Sequence, residues 1–312
     1  MTQPIIPTLI VVAGPTAVGK TAAAIELAKH FNTDVVSADS RQFFREMSIG
    51  TAKPNAEELA AVKHHFINSH SIAEPFSVGD FEKQGLALLD DLFKKHQYVI
   101  LAGGSGLYIK AICEGFDDLP TADPSIRERL NLELEEKGIS GLQQKLKEVD
   151  PDYYSQVDLA NPQRVIRALE VFESSGKPFS SYRQATVNKR PFHIVKLALN
   201  LPREVLYNRI NERVDMMVQQ GLLAEVNALL PYRHLNALNT VGYTELFDYF
   251  DGKTSLDKAI EMIKQNTRRF AKRQLTWFSK DSSFQWFQAN ETDVISQMIN
   301  KTASVPSNNI TD

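Results

Sequence analysis

Gly14-Pro15-Thr16-Ala17-Val18-Gly19-Lys20-Thr21 satisfies G-x-x-x-x-G-K-[ST], with a β-branched apolar run before it and an Ala-rich segment after it. In that context the glycines let the backbone fold into a cup of N–H donors around phosphate oxygens. Lys20 adds a positive charge and a helix N-terminus its partial charge. The Thr21 hydroxyl is placed to hold Mg²⁺. A phosphate cradle says what is held, not what is done to it. Kinases and hydrolases add an acidic residue at the end of another strand, yet the run Tyr98–Ala102 ends in Gly103-Gly104-Ser105-Gly106 with no carboxylate. The run Val35–Ala38 does end in one, Asp39. A strand-terminal Asp is also a common helix cap, and position alone leaves both roles open. Between Met262 and Lys280 stand six basic residues (Lys264, Arg268, Arg269, Lys272, Arg273, Lys280) and no acidic one. Arg268/Lys272 and Arg269/Arg273 are i,i+4 pairs, so like charges stack on one helical face at a cost to the isolated helix. That concentration favours a polyphosphate or RNA partner. The heptad spacing of Ile263, Phe270 and Trp277 predicts the buried stripe opposite.

The elements that must carry these residues alternate. Apolar runs at 8–13, 35–38 and 98–102 are continuous, as strands buried on both faces of a parallel sheet are, and 193–199 resumes the pattern. Helix-period segments at 21–31 and 80–95 separate the first three. The expected architecture is α/β, a P-loop NTPase-like doubly wound parallel sheet core, with ligands at the carboxyl ends of the strands. From Asp117-Asp118-Leu119-Pro120-Thr121-Ala122-Asp123-Pro124 onward the texture is turn-rich and then helical to about Phe179. This predicts a core of residues 1–116 and 193–287 with C-terminal helices (203–229, 240–250, 255–278) and a helical insertion domain at 117–192. The tail, 288–312, is rich in Asn, Ser and Thr, has little to bury and is expected to be partly disordered.

The chain has 312 residues, 43% hydrophobic and 23% charged, the composition of an ordinary globular protein. Its 35 basic and 38 acidic residues give a net charge of −3, so any nucleic-acid partner must be read from charge placement rather than from the sum. A single cysteine, Cys113, excludes an intramolecular disulfide and a cysteine-based zinc site. The N-terminal run lacks a basic flank and is too short to span a bilayer, which implies a cytoplasmic protein with no membrane partner.

Motifs along the whole chain resemble the tRNA dimethylallyltransferases, the bacterial isopentenyl-tRNA transferase family. They are GPTAVGKT (14–21), ADSRQFF (38–44), IGTAKP (49–54), FSVGDF (76–81), GGSGLY (103–108), NPQRVIRALEV (161–171), QGLLAEV (220–226), VGYTE (241–245) and TRRFAKRQLTWF (267–278), in the family's order. The resemblance implies transfer of a dimethylallyl group from dimethylallyl diphosphate to N6 of the adenosine immediately 3′ of the anticodon in tRNA. The cofactor would be Mg²⁺, the partner the anticodon stem-loop, and the enzyme a monomer. The P-loop would hold the donor diphosphate; whether ATP binds there stays open. Asp39 would accept the N6 proton, and Lys20, Thr21 and an arginine would stabilise the leaving diphosphate. Arg209 and Arg213 are the candidates, and the family pattern favours Arg213. The implied tRNA contacts are Asp39, Ser40, Arg41 and Gln42; Ser105, where the family usually has Thr; Arg127; and Gln163, Arg164, Val165, Ile166 and Arg167. Arg268 and Arg273 of the basic stretch join them, and the insertion resembles the family's anticodon-arm clamp. The sequence departs from the family at Arg41, Phe44 and Ser279, none of which alters the P-loop or Asp39 itself. The competing readings are a P-loop small-molecule kinase and an adenine-nucleotide prenyltransferase; the acid-free basic stretch and the insertion speak against the second, since a mononucleotide needs neither.

Overall fold

The computed structural model of the chain describes residues 6–117, 119, 120, 123–183 and 188–303. Asp118, Thr121 and Ala122 of the turn-rich stretch, and 304–312 of the tail, lie outside the described residues. The chain forms two compact units, Met1–Glu114 with Lys189–Asp312, and Gly115–Asn188.

The first unit is built on six strands: β1 (Thr8–Ala13), β2 (Val35–Ser37), β3 (His64–His65), β4 (Tyr98–Ala102), β5 (His193–Asn200) and β6 (Gln285–Gln288). They form one sheet in the order β3-β2-β4-β1-β5-β6, and every pairing is parallel. Its helices are α1 (Lys20–Phe31), α2 (Ala56–Ala61), α3 (Val78–Phe93) and α4 (Gly106–Glu114). The second unit contributes α5 (Pro124–Lys137), α6 (Ile139–Val149), α7 (Pro151–Tyr154) and α8 (Pro162–Ser175). The chain then returns to the first unit with α9 (Arg203–Gln219), α10 (Leu222–Ala228), α11 (Thr244–Phe250), α12 (Leu256–Phe278) and α13 (Val294–Ala303).

Every residue of β1 is buried because β1 is central and covered on both sides. Ile10 and Val12 face the helices α1, α9 and α13 through Leu27, Ile210 and Met298. Leu9 and Val11 face α3 and α4 through Leu89 and Ile112. This period-two split explains the unbroken apolar run. The chain leaves β1 toward β2 on one side of the sheet and leaves β4 for β5 on the other. The carboxyl ends of β1 and β4 therefore flank a topological switch point, where open α/β sheets place their ligands.

Three expectations need correction. The helical run 203–229 is two helices, broken at Gly221, whose φ of 102° caps α10. Residues 189–192 belong with the sheet unit: Arg190 donates to the Ile112 carbonyl at 2.8 Å and to Glu82 at 2.7 Å, and Phe192 packs on Phe93. The tail does have something to bury. After the edge strand β6, which ends where the expected tail begins, α13 packs Val294, Ile295, Met298 and Ile299 on the core. Among the described residues no helix is long and apolar enough to cross a membrane.

Candidate active site

The loop after β1 delivers Lys20 and Thr21 to the start of α1. Gly19 caps that helix with φ 107°, and no acidic residue occupies its first turn, so its dipole is free to face an anion. Lys20 Nζ donates to the Pro15 carbonyl at 2.7 Å. Burial pushes its amine down to about 8, opposed by the negative charge of Asp39 and assisted by the positive charge of Arg213. These residues face a cavity of about 840 Å³, which Thr16, Thr21, Asp39, Ser40, Arg41, Gln42, Ser105 and Arg213 also line. Of the two candidate arginines on α9, Arg213 is half-buried against this cavity and Arg209 is exposed. Burial holds the Arg213 guanidinium below its usual range. Three members of the expected cradle do not line the cavity: Gly14 lies against the Leu199 carbonyl, Pro15 contributes its carbonyl to Lys20, and Val18 is wholly buried in the core.

Asp39 follows β2. Its Oδ1 accepts the backbone N–H of Arg41 at 2.9 Å and of Gln42 at 3.3 Å, the geometry of an Asx turn. Its second oxygen has no hydrogen-bond partner among the described residues. One carboxylate thus organises the turn and keeps an oxygen for the cavity. Ser105 Oγ accepts from the Ser40 N–H at 2.9 Å, tying the loop after β4 to that turn. Gln42 spends both amide protons on the Thr51 and Ala52 carbonyls, at 3.2 and 3.1 Å, so its donors brace the protein.

α12 closes the cavity with Phe270 and Gln274. Gln274 Oε1 accepts the Thr16 N–H at 2.8 Å and its Nε2 donates to the Gly104 carbonyl at 2.9 Å, joining the P-loop to the loop after β4. A Cβ on residue 104 would lie 2.3 Å from that Nε2, so only glycine allows the approach. The expected stripe of Ile263, Phe270 and Trp277 is wrong: Ile263 is buried, but Phe270 is 38% and Trp277 43% exposed. An ideal helix turns about 20° off a strict seven-residue repeat per heptad. Ala259, Ile263, Ala271, Gln274 and Phe278 form the buried face instead. On the outside, Lys264 pairs with Asp215 at 2.9 Å and with Glu261 at 3.1 Å. Arg268, Arg269, Lys272, Arg273 and Lys280 make no ion pair among the described residues. Arg268 donates to Asn211 Oδ1 at 2.5 Å, and Arg273 lies over the Phe270 ring.

A phosphate cradle, a half-free carboxylate and a basic helix with exposed aromatics surround one end of the sheet. The model of IPP transferase matches residues 42–281 of the chain. A tRNA dimethylallyltransferase from Christiangramia forsetii is 56% identical over 91% of the chain and 94% of its own length. The chain belongs to the IPP transferase family. Among solved structures, a full-length tRNA isopentenylpyrophosphate transferase from Bacillus halodurans superposes with a TM-score of 0.70 at 38% identity, covering 95% of both chains. A eukaryotic dimethylallyltransferase, solved acting on tRNA, gives 0.76 at 25% identity over 95% of this chain and 77% of that one.

In this IPP transferase the expected contacts of the helical unit divide sharply. Val165 and Ile166 are fully buried in its core with Leu130, Leu142 and Leu146, so their side chains cannot touch an external partner. Gln163 and Arg164 are exposed. Arg127 lies on α5 rather than in the entrance turn, and donates twice to the buried Glu170, at 3.0 and 2.8 Å. Arg167 shares that carboxylate at 2.9 Å. Arg127 therefore ties α5 to α8, while Arg167 braces the same carboxylate from within α8, and both guanidinium groups stay partly exposed. His64 and His65 form β3, and His65 Nε2 lies 2.8 Å from Asp34 Oδ2, in keeping with a structural role.

Gln274 escaped sequence reasoning, and Phe270 was read as core rather than as cavity wall. The signal was the three- and four-residue spacing Ile263, Thr267, Ala271, Gln274, Phe278, which places an amide on a buried helix face. Lys53 was missed as well. Burial pushes its amine down to about 8, and it donates to the Phe44 carbonyl at 2.5 Å and to Asn68 Oδ1 at 2.6 Å, bracing the loop that walls the cavity.

Proposed function

We propose that the chain transfers a dimethylallyl group from dimethylallyl diphosphate to N6 of the adenosine immediately 3′ of the anticodon in tRNA. The observation that carries this reading is the shared cavity of Lys20, Thr21, Arg213 and Asp39, lined also by Phe270 and Gln274 from the acid-free part of α12. The diphosphate lies on the P-loop N–H groups and the α1 N-terminus, between Lys20 and Arg213. N6 forms a bond to C1 of the dimethylallyl group as the C1–O bond to diphosphate breaks, and the N6 proton passes to the free oxygen of Asp39. The amine lone pair is delocalised into the adenine ring, so a base at hand matters. A base held in a loop must leave its stack to be reached. Ser40 and Arg41 at the cavity, and Gln163 and Arg164 on the helical unit, contact the RNA in this reading, while Arg127 and Arg167 present their exposed edges to phosphates.

The donor set suits Mg²⁺. Thr21 lines the cavity, where its hydroxyl and the oxygens of the substrate diphosphate would be the ligands of the ion. Bound there, Mg²⁺ offsets the charge of the departing diphosphate.

β4 runs into Gly103 without a carboxylate, which leaves a kinase without its second acidic residue. The decisive experiment incubates the protein with Mg²⁺, dimethylallyl diphosphate and either total tRNA or AMP, then weighs the nucleosides. Prenylated adenosine in tRNA alone is the expected result. Prenylated AMP at an equal rate would move the reading to a nucleotide prenyltransferase.

A further inference from the structure

Three motif stretches that the chemistry above leaves unused, 49–54, 220–226 and 241–245, meet at one side chain. Glu225 of α10 accepts the backbone N–H groups of Ser48 at 2.9 Å and Ile49 at 2.7 Å on Oε2. Its Oε1 accepts the Gly50 N–H at 3.0 Å and the Tyr243 hydroxyl at 2.7 Å. Four charge-assisted hydrogen bonds converge on one carboxylate, the strong kind. Tyr243 is wholly buried. Burial, together with the neighbouring negative charge of Glu225, raises its pKa, so the hydroxyl remains a donor. A Cβ on residue 50 would come within 2.6 Å of the Tyr243 ring, so the loop lies flat on that ring because residue 50 is glycine. The next residues of the loop are held from the other side by Gln42, through the Thr51 and Ala52 carbonyls.

The opposite face of this loop is cavity wall. Ile49 joins Val214, Met217, Leu222, Val241 and Ile263 to make the apolar part of the same cavity that holds Lys20 and Thr21. If the diphosphate sits on the P-loop, as the proposed reaction requires, the hydrocarbon tail occupies this apolar part. We propose that Glu225 and Tyr243 form a clamp that positions the 48–52 loop as the wall of the prenyl subsite, and so sets the length of prenyl chain the enzyme accepts. They are positioning residues: neither touches the reacting atoms.

The test compares dimethylallyl with geranyl diphosphate as donors to tRNA, for the wild type, Glu225→Gln and Tyr243→Phe. A hydrophobic pocket discriminates about tenfold or more per misplaced methylene. Glu225→Gln should therefore raise the KM for dimethylallyl diphosphate about tenfold, with a smaller change in kcat, and narrow the preference over geranyl diphosphate by about the same factor. Tyr243→Phe keeps the buried ring and removes one hydrogen bond, so the same changes should appear at about threefold; it carries the test if Glu225→Gln fails to fold. The salt dependence of tRNA binding should match the wild type in both. A donor preference that stays at the wild-type ratio while both rates fall together would make the clamp mere fold support and overturn the proposal. A wild type that transfers neither group to tRNA would instead overturn the prenyl-transfer reading, and the clamp's role with it.

Discussion

Lys20 and Asp39 are held in states that make their chemistry measurable. The Lys20 amine is pushed down to about 8 by burial, so it is a cation at pH 7 and loses its charge as pH rises past about 8. Attraction for the diphosphate falls with it. The donor kcat/KM, which reports the free enzyme, should decline above pH 8; a profile flat to pH 9.5 would show that Lys20 does not bind the donor as a cation. At Asp39, one oxygen holds the Asx turn and the other is free. Asn at this position keeps the turn, because its Oδ1 accepts the same two N–H groups, but it cannot take the N6 proton. Asp39→Asn should lower the single-turnover rate by ~10²–10⁴, with donor and tRNA affinities changed little. A rate within a few-fold of wild type would leave Asp39 as a cap, with the proton leaving through water.

α12 does two jobs on two faces. Its buried side uses Gln274 to tie the P-loop to the loop after β4, and its exposed side carries cations with no ion-pair partner among the described residues. If that side meets RNA phosphates, affinity should fall steeply with salt, and each lost contact should flatten the log–log slope by about one unit. The structure separates two of these residues. Arg273 is exposed, whereas Arg268 already donates to Asn211. Arg273→Ala should therefore reduce the slope by about one unit and Arg268→Ala by less. Titrations of tRNA binding across a range of salt check this, and equal, unchanged slopes would make the face ordinary solvated surface.

The whole sheet unit closes with its last helix. Met298 is fully buried between α1 and the sheet, far in sequence from the elements it covers. Truncating a buried Met to Ala typically costs about 2–5 kcal/mol. Met298→Ala should lower stability by that amount in urea titrations of the full chain. A loss below about 0.5 kcal/mol, the size of an ordinary surface change, would mean that α13 does not support the core.

Local pattern alone was enough for the phosphate loop, the buried strands β1, β2 and β4, and the return strand β5. Those signals rest on neighbours in sequence: a glycine spacing, a run of β-branched residues, a caesura of prolines and acids. The edge strand β6 and the helix α13 were hidden because each is short and lies in or beside a stretch rich in Asn, Ser and Thr, and burial of their few apolar side chains was settled by the sheet they dock on. The rotation of α12 was misread for a related reason. Two faces of a helix forty degrees apart satisfy nearly the same spacing, and only packing against Gly104 and the P-loop selects one. Likewise, helix position alone does not separate Arg209 from Arg213, four residues apart, and only the resemblance favoured Arg213, the one that the fold turns into the cavity. The meeting of Ser48, Gly50 and Tyr243 on Glu225 has no local signature at all, since it joins backbone and side chains up to 195 positions apart in a chain of 312 residues. Such contacts are decided by the three-dimensional packing that local propensities permit but do not specify.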